Sequence, residues 1–434
     1  MKPMKNKLLF SIFYFPFICF FNISCSGGVI DCGGSACENL SDSGYEQENL
    51  NEIKVENLAQ EDENADWDSE VSEISFDVSV DESPIEEPEP PPPIYSFVVF
   101  GDNQFATTSC TSGVPERMAI PEAIIDIEPT FILHTGDLMD HGYEDGAYDA
   151  FFHCYEGMLS TFAFFPTPGN HDMGSGGILN YKSYLEEQLF NRNPDVYGST
   201  YGDDFEIYYE DDPTDYCSSP SNPCMRDKVP SGFTYKTFYA YKFANAYFIS
   251  FEQGTRWWTN TPMPWVESHL QSARMDPEIK HIFVHMHHPM YSTTMAEHST
   301  DGECIDFVRE HYEEIFRRYD VTIVFSGHAH VYDRFYVPDD GSPTRARPAP
   351  QIYPHDGSGI HYIVTGGGGG PLPSPCPPSE RHELSYDYSQ NRGCGYHFTL
   401  VEVVGDEINV SIIGVDGNSS NYTTEVWDTF SIKP

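Results

Sequence analysis

Five apolar runs in this chain each stop at a glycine or a turn and are followed at once by Asp, Asn or His. Residues 95–100 stop at Gly101 and Asp102, and residues 130–134 at Gly136 and Asp137. Residues 162–167 lead into Gly169, Asn170, His171 and Asp172. Residues 280–284 lead into His285, His287 and His288, and residues 321–325 into Gly327, His328 and His330. The runs are rich in β-branched and aromatic residues, as buried strands are. With a helical stretch over 115–127, they predict an α/β fold. In such folds a rigid sheet fixes the loops beyond its strand ends, and those loops carry the chemistry. Five clusters of oxygen and imidazole ligands therefore point at one place. The glycines let the backbone turn sharply before each ligand. His328 and His330 are two apart, so an extended segment would aim both rings the same way. Two metal ions about 3.5–4 Å apart could each take one.

The amino terminus has a different character. Lys2, Lys5 and Lys7 precede an apolar run, 8–21, and small residues follow at Ser24, Cys25 and Ser26. This is the layout of an export signal over residues 1–25, too short for a confident membrane span. Ile23, Ser24 and Cys25 also resemble a bacterial lipobox, although Asn22 departs from it. The membrane would then be touched only through an N-terminal lipid anchor. Residues 26–93 are glycine-rich, then acidic, then proline-rich. Like charges and few apolar groups predict a disordered tether ending in a stiff spacer. Residues 94–434 remain for the folded domain.

A formal net charge of -45 argues against nucleic acid as a partner, because phosphates need a basic surface. It suits multivalent cations. Eleven cysteines in an exported chain suggest disulfides rather than thiol chemistry. Sequence proximity favours Cys217 with Cys224 and Cys376 with Cys394; Cys110 with Cys154 and Cys32 with Cys37 are further pairings, with Cys304 left odd. An extracytoplasmic site follows, secreted or lipid-anchored at a bacterial envelope.

The ordered set Asp102, Asp137, Asn170-His171-Asp172, His287-x-Pro289 and His328-x-His330 resembles the calcineurin-like metallophosphoesterase signature. That resemblance implies a four-layer α/β/β/α sandwich with mixed sheets. Met286-His287-His288-Pro289-Met290-Tyr291 and the run from Gly327 to Arg334 look most like the purple acid phosphatases, as does His298 before Asp301-Gly302-Glu303. One departure stands out. Those enzymes place a tyrosine three residues after the bridging Asp, and here Asp140 stands there; other members use a His where this chain has Gln104.

The resemblance implies that Asp102, Asp137 and His330 hold metal one, with the fourth ligand open between Gln104 and Asp140. It implies that Asp137, Asn170, His287 and His328 hold metal two, Asp137 bridging. The cofactors would be two divalent or trivalent ions: iron, zinc or manganese. A bound water made acidic by them would attack a small phosphorylated substrate in line. The catalytic residues implied are His171, stabilising transition-state charge with Asp172 orienting its ring, and His298, protonating the leaving oxygen. His134, His285 and His288 read as neighbours, and the glycine run 366–370 as a turn. The insertion 174–235 reads either as a cover selecting substrates or as a surface excursion. A monoesterase is the first expectation. A phosphodiesterase or nucleotide pyrophosphatase would use the same metals, and a non-catalytic protein on a degenerate scaffold finds its support in Gln104.

Overall fold

The computed structural model of the chain describes residues 94–105, 109–110, 113–144, 146–174, 177–185, 206–209, 238–251, 263–294, 300–345, 348–376 and 383–434. The expected signal and tether, His298, the Cys32–Cys37 and Cys217–Cys224 pairs and most of the 174–235 insertion lie outside the described residues.

The first sheet contains β1 (Ile94–Phe100), β2 (Phe131–His134), β3 (Ala163–Pro166), β10 (Ile352–Pro354), β13 (His397–Val404), β14 (Glu407–Asn418) and β15 (Asn421–Lys433). Its order is β10-β15-β14-β13-β1-β2-β3. The second contains β4 (Glu206–Tyr209), β5 (Tyr239–Phe243), β6 (Ala246–Ser250), β7 (His281–His285), β8 (Ile323–Ser326), β9 (Tyr332–Pro338), β11 (Gly359–Thr365) and β12 (Ser389–Gly393). Its order is β12-β9-β11-β8-β7-β6-β5-β4. Both are mixed. β1, β2 and β3 run parallel, as do β6, β7, β8 and β11, while β13 to β15 and β9 pair antiparallel.

Strand alternation divides the apolar residues between two cores. On β7 and β8, Phe283, Ile323 and Phe325 face the space between the sheets, whereas Ile282, Val284 and Val324 face away. Phe97 of β1 meets the edges of Phe248, Phe283 and Phe325 at 5.4, 5.2 and 6.1 Å, so the two inner faces interlock through aromatic contacts. The outer face of the second sheet is covered by α6 (Met263–Met275) and α7 (Thr300–Arg318), through Trp265, Leu270, Tyr312 and Phe316. Helix α1 (Glu116–Ile127) packs on β14 and β15. Helix, sheet, sheet and helix follow in order, as the sequence implied.

Within the insertion, the described residues add α5 (Ile178–Leu185) and β4, which pairs with β5 at the sheet edge. Disulfides join Cys110 to Cys154 and Cys376 to Cys394, with Cα atoms 5.2 and 5.7 Å apart, matching two of the expected pairs. No helix among the described residues is long and apolar enough to cross a membrane.

Candidate metal centre

The carboxyl ends of β1, β2, β3, β7 and β8 meet at one edge of the sandwich, and all five ligand loops leave from there. The Asp102 N–H donates to the Gly136 carbonyl (2.9 Å), and both Asp102 carboxylate oxygens accept the N–H of His328 (2.9 and 3.0 Å). Asp137 Oδ1 accepts the N–H of His171 at 2.8 Å. Four non-glycine residues here hold left-handed backbone, with φ of 61° at Asp102, 47° at Gln104, 55° at Asp137 and 64° at His328. Such conformations cost of order 1–3 kcal/mol each and persist where surrounding structure imposes them, typically at functional sites. Gly169 is required by close approach, because a Cβ there would lie 2.1 Å from Asp137 Oδ1. The same holds at Gly327, where a Cβ would lie 2.3 Å from Asp102 Oδ2.

The imidazoles are oriented from behind. His287 Nδ1 donates to the Thr135 carbonyl (2.8 Å) and His330 Nδ1 to the Pro371 carbonyl (2.6 Å). A carbonyl only accepts, so each Nδ1 carries a proton and Nε2 points inward, where the neutral ring would offer a lone pair. His287 Nε2 then lies 2.9 Å from Asn170 Oδ1 and 3.3 Å from Asp137 Oδ2. His330 Nε2 lies 3.4 Å from Asp102 Oδ1 and 3.3 Å from the Gln104 amide. Ligand atoms that face one another this closely are held together by a proton or a metal ion among them. Asp102 and Asp137 are 0% and 1% exposed, and among the described residues their ion partners are all histidines. Buried carboxylates without Lys or Arg need another source of positive charge, and a metal ion is the usual one. Asp137, His287 and His328 bring ligand atoms within 4.8 Å of one another. The donor set of oxygen and imidazole nitrogen suits zinc, manganese or iron.

In the absence of an ion, the same negative charge draws protons onto the imidazoles. Burial alone would raise the Asp137 pKa, but His287, His171 and His328 outweigh it and hold the carboxyl well below its ordinary range. Burial opposes protonation of His330, yet the hydrogen bond and charge of Asp102 hold its pKa above that of free imidazole.

Two expectations need correction, and one open choice narrows. His328 and His330 do not lie on an extended segment. Tight turns close there, from Ala329 N–H to Gly327 carbonyl (2.7 Å) and from Val331 N–H to Ala329 carbonyl (2.6 Å). The left-handed His328 backbone sets the rings, rather than strand periodicity. Asp172 does not orient His171. It accepts the N–H groups of Gly169 (2.9 Å), Leu138 (3.2 Å) and Met139 (3.2 Å) and the Tyr148 hydroxyl (2.8 Å), tying two ligand loops together. Burial and the charge of Asp137 push its pKa up to about 6 against those donors. The His171 ring is held by Asp140 instead, its Nδ1 2.7 Å from the Asp140 carbonyl and 3.2 Å from Oδ1. Asp140 is thereby engaged away from metal one. The Gln104 amide lies beside the other candidate ligands, 3.3 Å from both Asp137 Oδ2 and His330 Nε2, and a 180° rotation would present its oxygen.

The carbonyls of Thr135 and Pro371 were not anticipated, nor was the closeness of the glycine run. Gly368 and Gly370 donate to the carbonyls of Gly101 and Asp102 (2.8 and 2.7 Å) and back the first ligand loop. Five consecutive glycines were the available signal, since only such a run lets two backbones approach so closely.

Comparison with known proteins agrees with this geometry. The family description "Calcineurin-like phosphoesterase" matches residues 95–332. An Fe(3+)-Zn(2+) purple acid phosphatase of Arabidopsis thaliana is 34% identical over 105 residues, which cover 24% of this chain and 21% of the relative. Among solved structures, the purple acid phosphatase PPD1 from yellow lupin seeds superimposes with a TM-score of 0.52 at 18% identity, covering 79% of this chain and 54% of that one. PhoD gives a TM-score of 0.50 at 9% identity, covering 80% and 70%. The chain spans only part of these relatives, and the structural likeness establishes the fold alone. With more than half of its length matched by one family and the ligand loops in that order, the chain belongs to the calcineurin-like phosphoesterases.

Proposed function

We propose that this metallophosphoesterase hydrolyses small phosphate monoesters with two metal ions, outside the cytoplasm. The observation that carries the proposal is the inward convergence of oxygen and imidazole ligand atoms around two buried carboxylates that, among the described residues, have no Lys or Arg ion partner. When bound, two ions would supply Lewis-acid activation of water and of phosphate oxygens. Asp137 Oδ2 faces Gln104 and His287 at 3.3 Å each, so Asp137 would be shared between the two ligand sets. Asp102, His330 and Gln104 complete the first set; Asn170, His287 and His328 complete the second. His171 is half-open to solvent, and its Nε2 lies 3.9 Å from Asp137 Oδ2. Its placement suits stabilising charge on a substrate phosphoryl oxygen. His298 is assigned as the leaving-group acid on sequence alone, and this favours monoesters. Disulfides at Cys110–Cys154 and Cys376–Cys394 support an oxidising compartment.

The test pairs metal analysis with hydrolysis of p-nitrophenyl phosphate and bis-p-nitrophenyl phosphate. Two ions per chain and a kcat/KM at least tenfold higher for the monoester are expected. Faster diester hydrolysis would assign the chain to the diesterases. Two bound ions with neither activity would mean a binding scaffold.

Loading with iron gives a second test. The purple colour of the resembling enzymes comes from a tyrosinate on iron(III), and the corresponding position here is Asp140. Tyr143 is exposed against His141, and the Tyr148 hydroxyl donates to Asp172. Iron-loaded protein is expected to be colourless. A visible band that disappears in Tyr143→Phe would show that the ligand set has been misassigned.

A further inference from the structure

Beside the two ion positions, Asp140, His141 and His171 bring three further ligand atoms within 4.8 Å of one another. His171 Nδ1 lies 3.2 Å from Asp140 Oδ1, and His141 Nε2 lies 3.8 Å from Asp140 Oδ2. Ligands at ~2.0–2.1 Å from a tetrahedral zinc stand about 3.4 Å apart, between these two values. We infer that Asp140, His141 and His171 form a third, inhibitory site for zinc. Zinc there would leave its fourth coordination position to water.

The loop is built to hold this geometry. The N–H of Asp140 donates to Phe105, that of Gly142 to His171 and that of Glu144 to His141, at 3.0–3.1 Å. A Cβ at Gly142 would lie 2.8 Å from the Asp172 backbone, so the turn is packed against the Asn-His loop. His141 and Asp140 have side chains 47% and 31% exposed, so the ion can enter from solvent without opening the domain. The site's effect rests on the phosphoesterase reading, because it acts through His171. As zinc takes Nδ1, the proton that His171 now gives to the Asp140 carbonyl would pass to solvent and another would be taken up at Nε2. The ring thus binds as neutral imidazole with no net proton released. Held by zinc between Asp140 and His141, the ring could no longer turn its Nε2 to a phosphoryl oxygen. His171 would so be engaged by the same ion type that the neighbouring positions accept.

The experiment titrates zinc into protein already holding its two tight ions, following heat of binding and p-nitrophenyl phosphate turnover together. One further equivalent is expected to bind in the micromolar range, with turnover falling at least tenfold in step. His141→Ala should keep two tight ions and unchanged basal turnover, while the extra equivalent binds at least tenfold more weakly and inhibition moves with it. Wild-type protein that saturates at two ions would overturn the third site and leave the phosphoesterase reading intact. So would a His141→Ala variant that still binds and is inhibited like wild type. If instead zinc binds as one His141-dependent equivalent and no tight ions are found, the third site stands and the two-ion reading falls.

Discussion

Asp137→Asn is expected to abolish phosphoester hydrolysis and to reduce bound metal from two ions to one or none, while the domain stays folded. In the proposed ligand set Asp137 is shared by both ions, and its Oδ2 faces both Gln104 and His287. An amide carries no charge and offers one oxygen, so either the bridge or the hydrogen bond from the His171 N–H must go. Losing a single preorganised electrostatic contact in an active site typically costs 10²–10³ in kcat, about 2.7–4 kcal/mol. Losing the shared ligand of two ions should exceed this, so at least ~10³-fold is expected. The domain should stay folded, because the substitution keeps the side chain's shape and its place beside the His171 N–H and the Gln104 amide. Because the fold holds the Asp137 pKa below its ordinary range, its charge stabilises the metal-free domain at neutral pH, and Asn should lower thermal stability modestly. Metal analysis, circular dichroism and the monoester assay measured side by side check all three parts. A variant that keeps two ions and most of its activity would remove the basis of the ligand assignment.

The strands and the order of the ligands were legible because burial and periodicity are local. Each run between Ile94 and Ser326 is continuous apolar sequence, as strands covered on both faces must be. The partner of each side chain was less legible. Asp172 follows His171 directly, so adjacency suggested a pair. In the fold Asp172 turns inward to three N–H groups and Tyr148, and Asp140, 31 residues earlier, holds the ring. Left-handed backbone at Asp102, Gln104, Asp137 and His328 likewise has no sequence signature, since none of the four is glycine. Gln104 could be named as a candidate, but its choice over Asp140 required a distance. β15 went unpredicted because several of its residues face solvent and its apolar positions are few, so its pairing with β14 rather than its composition defines it.

The largest expected effect on stability comes from a residue outside the ion positions. Arg334 lies on β9, four residues after His330, and is completely buried. Its Nε donates to Asp428 of β15 at 2.8 Å, and the Tyr332 hydroxyl donates to the same oxygen at 2.6 Å. Its Nη1 donates to the Tyr353 hydroxyl at 3.0 Å, and its guanidinium lies 4.4 Å from the Phe430 ring centroid. One ion pair thus joins the two sheets directly behind the His328–His330 loop. Asp428→Leu would leave the arginine charge buried with hydroxyl and ring partners only, and breaking such a pair from one side typically costs 3–5 kcal/mol. The double variant Arg334→Met, Asp428→Leu removes the stranded charge as well, and replacing both partners of a buried pair by apolar groups is often neutral or better. Urea denaturation of the metal-free protein should therefore show a large fall in midpoint for Asp428→Leu and substantial recovery in the double variant. Equal losses in the two would mean that packing around Asp428, rather than the ion pair, holds the sheets together. Because β9 begins at Tyr332, the single variant should also weaken metal binding, and the double variant should restore it together with stability.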